Sequence, residues 1–177
     1  MIKLNEKGQS LVEALIALGV ATIVVSAMAV AAITSVNNAD FSKYQNLATN
    51  YAQQGLEVLR QQAQSNWSLF TTQVPAYSTG FSGKTYCLNQ TVPLQLSSLN
   101  SLGLCDPTPN VIDNGKNFFL REVTLTQTGS SDLTCNGSVL VSVSVAWTDG
   151  KCGSVTNYCH NVTLQSCFAN INGVLGK

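Results

Sequence analysis

Six cysteines and a single histidine are the side chains of this sequence best suited to chemistry. Cys87, Cys105, Cys135, Cys152, Cys159 and Cys167 all lie downstream of an N-terminal apolar run, and the one histidine is His160. An even number of cysteines in an exported domain reads as a disulfide framework; in a cytosolic chain the same residues read as thiols or metal ligands. Six cysteines permit fifteen pairings, and sequence alone does not choose among them. Nearness in the chain favours Cys87 with Cys105 and Cys152 with Cys159, which leaves Cys135 with Cys167. Cys152, Cys159, His160 and Cys167 can also be drawn as a zinc site. No Cys-x2-Cys pair is present, however, and the spacing fits no common zinc pattern. Neither a Ser-His-acid set nor a nucleophile elbow is found, so the chain reads as a non-enzyme without metal or other cofactor.

One more residue demands a chemical reason. From Leu11 to Val36 the only charged side chain is Glu13, in a run long enough to cross about 30 Å of hydrocarbon as a helix. A carboxylate inside a bilayer costs a few kcal/mol and usually has a partner. Lys3 and Lys7 precede the run, so the positive-inside tendency holds Met1 in the cytoplasm and sends the C-terminus out. Two ordinary readings leave Glu13 unexplained. In one, a signal peptide is cleaved after Ala27-Met28-Ala29 or Ala29-Val30-Ala31, but the apolar stretch exceeds the usual 7–15 residues. In the other, the segment is an unprocessed signal anchor.

The segment Lys7-Gly8-Gln9-Ser10-Leu11-Val12-Glu13-Ala14-Leu15-Ile16-Ala17 resembles the class III signal of type IV prepilins and pseudopilins. In that family a short basic leader ends in Gly, cleavage follows, and the fifth residue of the mature chain is Glu ahead of an apolar run. Here Gly8 ends the leader, Gln9 becomes the first mature residue, and Glu13 falls at the fifth position. The resemblance implies that prepilin peptidase removes residues 1–8 and leaves the apolar segment attached. It also implies N-methylation of the new terminus, although the family usually has Phe or Met where this chain has Gln9, and a terminal Gln can instead cyclise. Glu13 of one subunit would then pair with the free amine of a neighbour. In apolar surroundings such a pair is a better register device than a source of stability.

Composition agrees with an exported structural chain. Charged residues make up 10% of the 177, against about 25% in an ordinary soluble domain. Nine acidic and nine basic side chains cancel, which argues against nucleic acid as an obligate partner because phosphate binding needs a basic excess. Asn66, Asn89, Asn136 and Asn161 each head an Asn-x-Ser/Thr triplet, which chance explains in a chain so rich in those residues.

The elements that must position these residues follow from periodicity. Past the apolar run, Phe41, Tyr44, Leu47, Ala48, Tyr51, Ala52, Gly55, Val58 and Leu59 recur at three- and four-residue spacing. Asn38, Lys43, Asn46, Asn50, Gln53, Glu57 and Gln61 line the other face, and Glu57 can pair with Arg60. No proline interrupts residues 9–66, which predicts one long helix with Gly19 and Gly55 as its soft points. From Trp67 the helical period is lost, and proline and glycine punctuate a loop-rich stretch. Short strands or a helical turn are expected near Tyr86–Leu88 and Leu94–Leu102. Alternation then marks strands around Phe119–Thr126, Val139–Trp147 and Asn161–Gln165, with a turn at Thr148-Asp149-Gly150.

These signals predict an α+β fold, a long N-terminal helix packed on a small antiparallel sheet. Residues 1–8 form a leader, 9–36 a transmembrane or filament-core half-helix, 37–66 an amphipathic half, and 67–177 a disulfide-stabilised head. The strand sequences are similar to the end strands of V-type minor pilins and I-type pseudopilins. The resemblance therefore implies a pilin-like fold and a structural minor pilin of a type IV pilus. Its partners would be other pilin subunits, prepilin peptidase, the inner-membrane assembly machinery and, before assembly, membrane lipid. A pseudopilin of a type II secretion system and a tip module for adhesion or binding are the alternatives. The chain would pass once through the inner membrane with its C-terminus outside, then enter a pilus or pseudopilus.

Overall fold

The computed structural model describes residues 6–75, 83–88, 112–113, 118–129, 135, 138–148, 152 and 158–170. Helix α1 runs over Glu6–Ser65, 60 residues without a break. The chain divides into two compact units, Met1–Lys43 and Tyr44–Lys177.

In the first unit every residue from Ser10 to Lys43 is exposed. Three of its hydroxyls are turned back on the helix: Thr22 Oγ1 donates to the Gly19 carbonyl at 2.8 Å, Ser26 Oγ to the Thr22 carbonyl at 2.7 Å, and Thr34 Oγ1 to the Val30 carbonyl at 2.9 Å. Each hydroxyl is thereby satisfied without water, the condition an apolar solvent imposes. The segment is long and apolar enough to cross a membrane.

The second unit is a helix on a sheet. Ala48, Ala52, Gly55, Leu59 and Ala63 form the buried line of α1, with Tyr44, Leu47, Tyr51 and Leu56 half-buried beside it. The expected polar face is exposed, and Arg60 bonds Glu57 at 3.2 Å across one turn. Phe41, expected in the stripe, is 39% exposed; the buried line instead extends one turn further, to Ala63. Gly55 is no soft point. A Cβ there would lie 3.2 Å from both Arg121 Cδ and Val143 Cγ1, so its missing side chain lets the sheet approach the helix.

The loop expected from Trp67 begins with a helix. Asn66 Oδ1 accepts the Leu69 amide at 2.9 Å and caps α2, Trp67–Thr72. Phe70, fully buried, stacks between Trp67 and Phe168 at 5.6 and 5.9 Å. Six residues are too few for helical periodicity to show.

Strands β1 (Lys84–Cys87), β2 (Ile112–Asp113), β3 (Phe118–Gln127), β4 (Val139–Trp147) and β5 (His160–Phe168) form one antiparallel sheet in the order β1-β3-β4-β5, with β2 also on β3. Alternation gave β3 and β4 nearly whole; β2 was not expected, and β5 is several residues longer than read. Leu94–Leu102, Cys105 and the turn residues Asp149 and Gly150 lie outside the described residues. Phe119, Val123, Leu125, Val141, Val143, Val145 and Trp147 are fully buried on the inner face against α1. Each contributes about 1.5–3 kcal/mol of transfer free energy, an upper figure because unfolded chains are partly collapsed.

Candidate functional site

Gly8 and Gln9 lie in the first turns of α1, and Glu13 follows one turn later on the exposed helix. Around Glu13 the exposed neighbours are Leu11, Val12, Leu15, Ile16 and Leu18. An apolar surface of this kind needs a cover of lipid or of other helices. Glu13 is the only carboxylate on this surface between Leu11 and Val36.

The cysteines are the second group. Cys135 is bonded to Cys167, with Cα atoms 5.5 Å apart, and Cys152 to Cys159, with Cα atoms 5.4 Å apart. Cys87 is also disulfide-bonded; Cys105, expected as its partner, lies outside the described residues. Cys167 sits within β5, opposite Leu140, so the bridge ties Cys135, which precedes β4 in the chain, to the end of the neighbouring strand. The Cys152 bridge closes a short loop just before β5. The ligand atoms of Cys152, Cys159 and His160 lie within 4.8 Å of one another, whereas Cys167 is engaged with Cys135.

Sequence reading placed Arg121 among the alternating residues of β3 without giving it a role. Its side chain is buried, 2% exposed, on the inner face between Phe119 and Val123. Nε donates to the Leu88 carbonyl at 2.9 Å and Nη1 to the Tyr51 carbonyl at 2.8 Å. The guanidinium thus joins α1, β3 and the residue after β1 at one point, in the space opened by Gly55. Burial disfavours its charge and pushes its pKa down to about 10, opposed by Tyr51. It therefore stays charged at neutral pH. A charged residue at an inward strand position facing a helix glycine is the signal that marks it.

Among the described residues, a cavity of about 140 Å³ lined by Arg60, Gln64, Phe168 and Asn170, among others, lies between the end of α1 and the end of β5. Drug-sized ligand pockets are typically about 300–1,000 Å³. Comparison with family models, with curated proteins and with solved structures finds no match for this chain.

Proposed function

We propose that this chain is a structural subunit of the type IV pilin kind, a minor pilin made as a prepilin and built into a filament outside the inner membrane. One observation carries the reading. An apolar half-helix, exposed throughout from Ser10, bears a single carboxylate at Glu13, five residues beyond Gly8. A plain anchor has no use for that acid, whereas a helix that must pack against copies of itself in one stagger does. The amphipathic helix packed on a disulfide-bonded sheet in the second unit supports the same reading, because a subunit head outside the cell must be stable there.

On this reading prepilin peptidase cuts between Gly8 and Gln9 on the cytoplasmic side. The freed amine of Gln9 is then the counter-charge for Glu13 of a neighbouring subunit, and the apolar run exchanges lipid for the run of its neighbours. The test is the mature N-terminus. Intact mass and N-terminal peptide mapping should give a chain beginning at Gln9, and Gly8→Val, which sets a branched side chain beside the scissile bond, should leave the leader attached. A mature protein beginning at Val30 or Ala32 would show ordinary signal-peptide removal and sink the proposal.

A further inference from the structure

The loop joining β4 to β5 gathers three metal-type ligands that the filament reading does not use. Cys152, Cys159 and His160 bring Sγ, Sγ and an imidazole nitrogen within 4.8 Å of one another. His160 is the first residue of β5, paired with Trp147, and its ring lies 5.4 Å from the indole. It is therefore held on a rigid strand rather than on a loop tip. The absence of a Cys-x2-Cys pair argued against a metal; here the antiparallel pairing of Trp147 with His160 brings the two ends of the β4–β5 connection together, as a short spacing does elsewhere.

Hydrogen bonding distinguishes the two sulfurs. The backbone N–H of Cys159 donates to Cys152 Sγ at 3.2 Å, and Thr148 Oγ1 lies 3.5 Å from the same sulfur. Donors aimed at a sulfur favour its thiolate, which makes it the better leaving group in thiol exchange and the better metal ligand. Cys159 is the exposed partner and Cys152 the half-buried one. An incoming thiolate thus reaches Cys159 Sγ, and Cys152 leaves as the stabilised anion.

We propose that Cys152, Cys159 and His160 form a thiol-gated site for a borderline-soft divalent ion of the Zn²⁺ class, closed by the disulfide and opened when a dithiol reduces it. The balance is simple. The dithiol gives two electrons and becomes a disulfide, and the Cys152–Cys159 bond becomes two thiols. On binding, each thiol loses its proton to solvent, and two Sγ–metal bonds and one nitrogen–metal bond form. Tetrahedral zinc with bonds of about 2.3 Å to sulfur needs the sulfurs about 3.8 Å apart, a separation that the intact bond forbids and its opening permits. Two thiolates and a neutral imidazole balance the 2+ charge, and a water takes the fourth position on the exposed side, as in other Cys₂His sites.

The test uses the full-length protein in detergent, with Co²⁺ as the spectroscopic stand-in for Zn²⁺. The oxidised chain should bind none at this site. After reduction by a phosphine, which does not itself supply a thiol ligand, it should take up about one more Co²⁺ than Cys152→Ser/Cys159→Ser, with the visible bands of tetrahedral thiolate coordination. That variant carries the same four other cysteines, so their binding is subtracted. His160→Gln keeps all six cysteines and its bridges, so its fold is checked by circular dichroism before reduction. It should bind roughly tenfold or more weakly, having lost one of three protein ligands. Equal Co²⁺ uptake by the reduced chain and the double variant overturns the site, and undiminished affinity in His160→Gln overturns the three-ligand assignment.

Discussion

At the scale of single residues, Arg121 and Gly55 act as one device. The guanidinium reaches the Tyr51 and Leu88 carbonyls only because α1 has no side chain at position 55. Arg121→Ala removes both donors and leaves a void, and should cost about 2–4 kcal/mol in denaturant unfolding. Arg121→Met keeps the packed stem and removes the buried charge, so it should cost less, since apolar replacement of a buried charge is often tolerated. Gly55→Val forces branched carbon against Arg121 and Val143 and should cost about 1–3 kcal/mol. The pH sign follows from the downward shift. Burial penalises the charged form, so that penalty is constant at neutral pH and is relieved only as pH rises through about 10. Unfolding curves of wild type and Arg121→Met should therefore differ by the same amount at pH 6 as at pH 8. Gly83, at φ +86°, is a second special position: an added Cβ would collide with Thr126 Oγ1 and lie 2.9 Å from the Leu125 carbonyl. Gly83→Ala should cost about 1–3 kcal/mol for the left-handed conformation and the clash together.

At the scale of elements, the β4–β5 pair is held at both ends by covalent bonds, Cys135–Cys167 at one and Cys152–Cys159 at the other, and along its length by packing. The two bridges differ in the chain they enclose, 32 residues of separation for Cys135–Cys167 and 7 for Cys152–Cys159. Loop-closure entropy assigns roughly 3.5–4 kcal/mol to the first and roughly 2.5 kcal/mol to the second. Cys135→Ala/Cys167→Ala should therefore lower the unfolding midpoint more than Cys152→Ala/Cys159→Ala. Among the described residues no cysteine is free. Alkylation without reductant should label none, and intact mass should be six hydrogens below that of the reduced chain. Helix α1 serves two environments with one backbone: apolar side chains around the whole circumference in its first half, one buried line of small residues in its second. Small residues on that line bring the backbone close to the sheet, which is why Ala and Gly predominate there over Leu.

At the scale of the whole molecule, the proposed role rests on what Glu13 does between subunits. Glu13→Val makes the apolar run more apolar, so membrane insertion and cleavage after Gly8 should be unaffected. Incorporation into filaments should fall, because the amine of the neighbouring Gln9 loses its partner and other staggers are no longer disfavoured. Cell fractionation and immunodetection of sheared filaments separate the two outcomes; wild-type levels of Glu13→Val in filaments would refute the register role. Glu13→Asp, with the same charge on a shorter stem, should recover part of the loss.

The sequence by itself determined the long helix, its change from all-apolar to one-sided, and the inward residues of β3 and β4. Those features are periodic over many residues, and burial on one face repeats the same choice at every turn or every second residue. The place of Glu13 in its apolar run was legible too, since it is a matter of local order along the chain. Only the tertiary structure decided that Gly55 is a contact rather than a hinge and that Arg121 is buried with two carbonyls. Tertiary structure alone also took Cys167 out of the group drawn with Cys152, Cys159 and His160, by pairing it with Cys135. Each of these depends on residues far apart in the chain, or on a chain reversal, meeting within a few ångströms, and no local pattern encodes that distance. The short elements α2 and β2 were lost for a related reason. They contain less than two full periods, and capping by Asn66 and pairing to Phe118 and Phe119, rather than periodicity, make them.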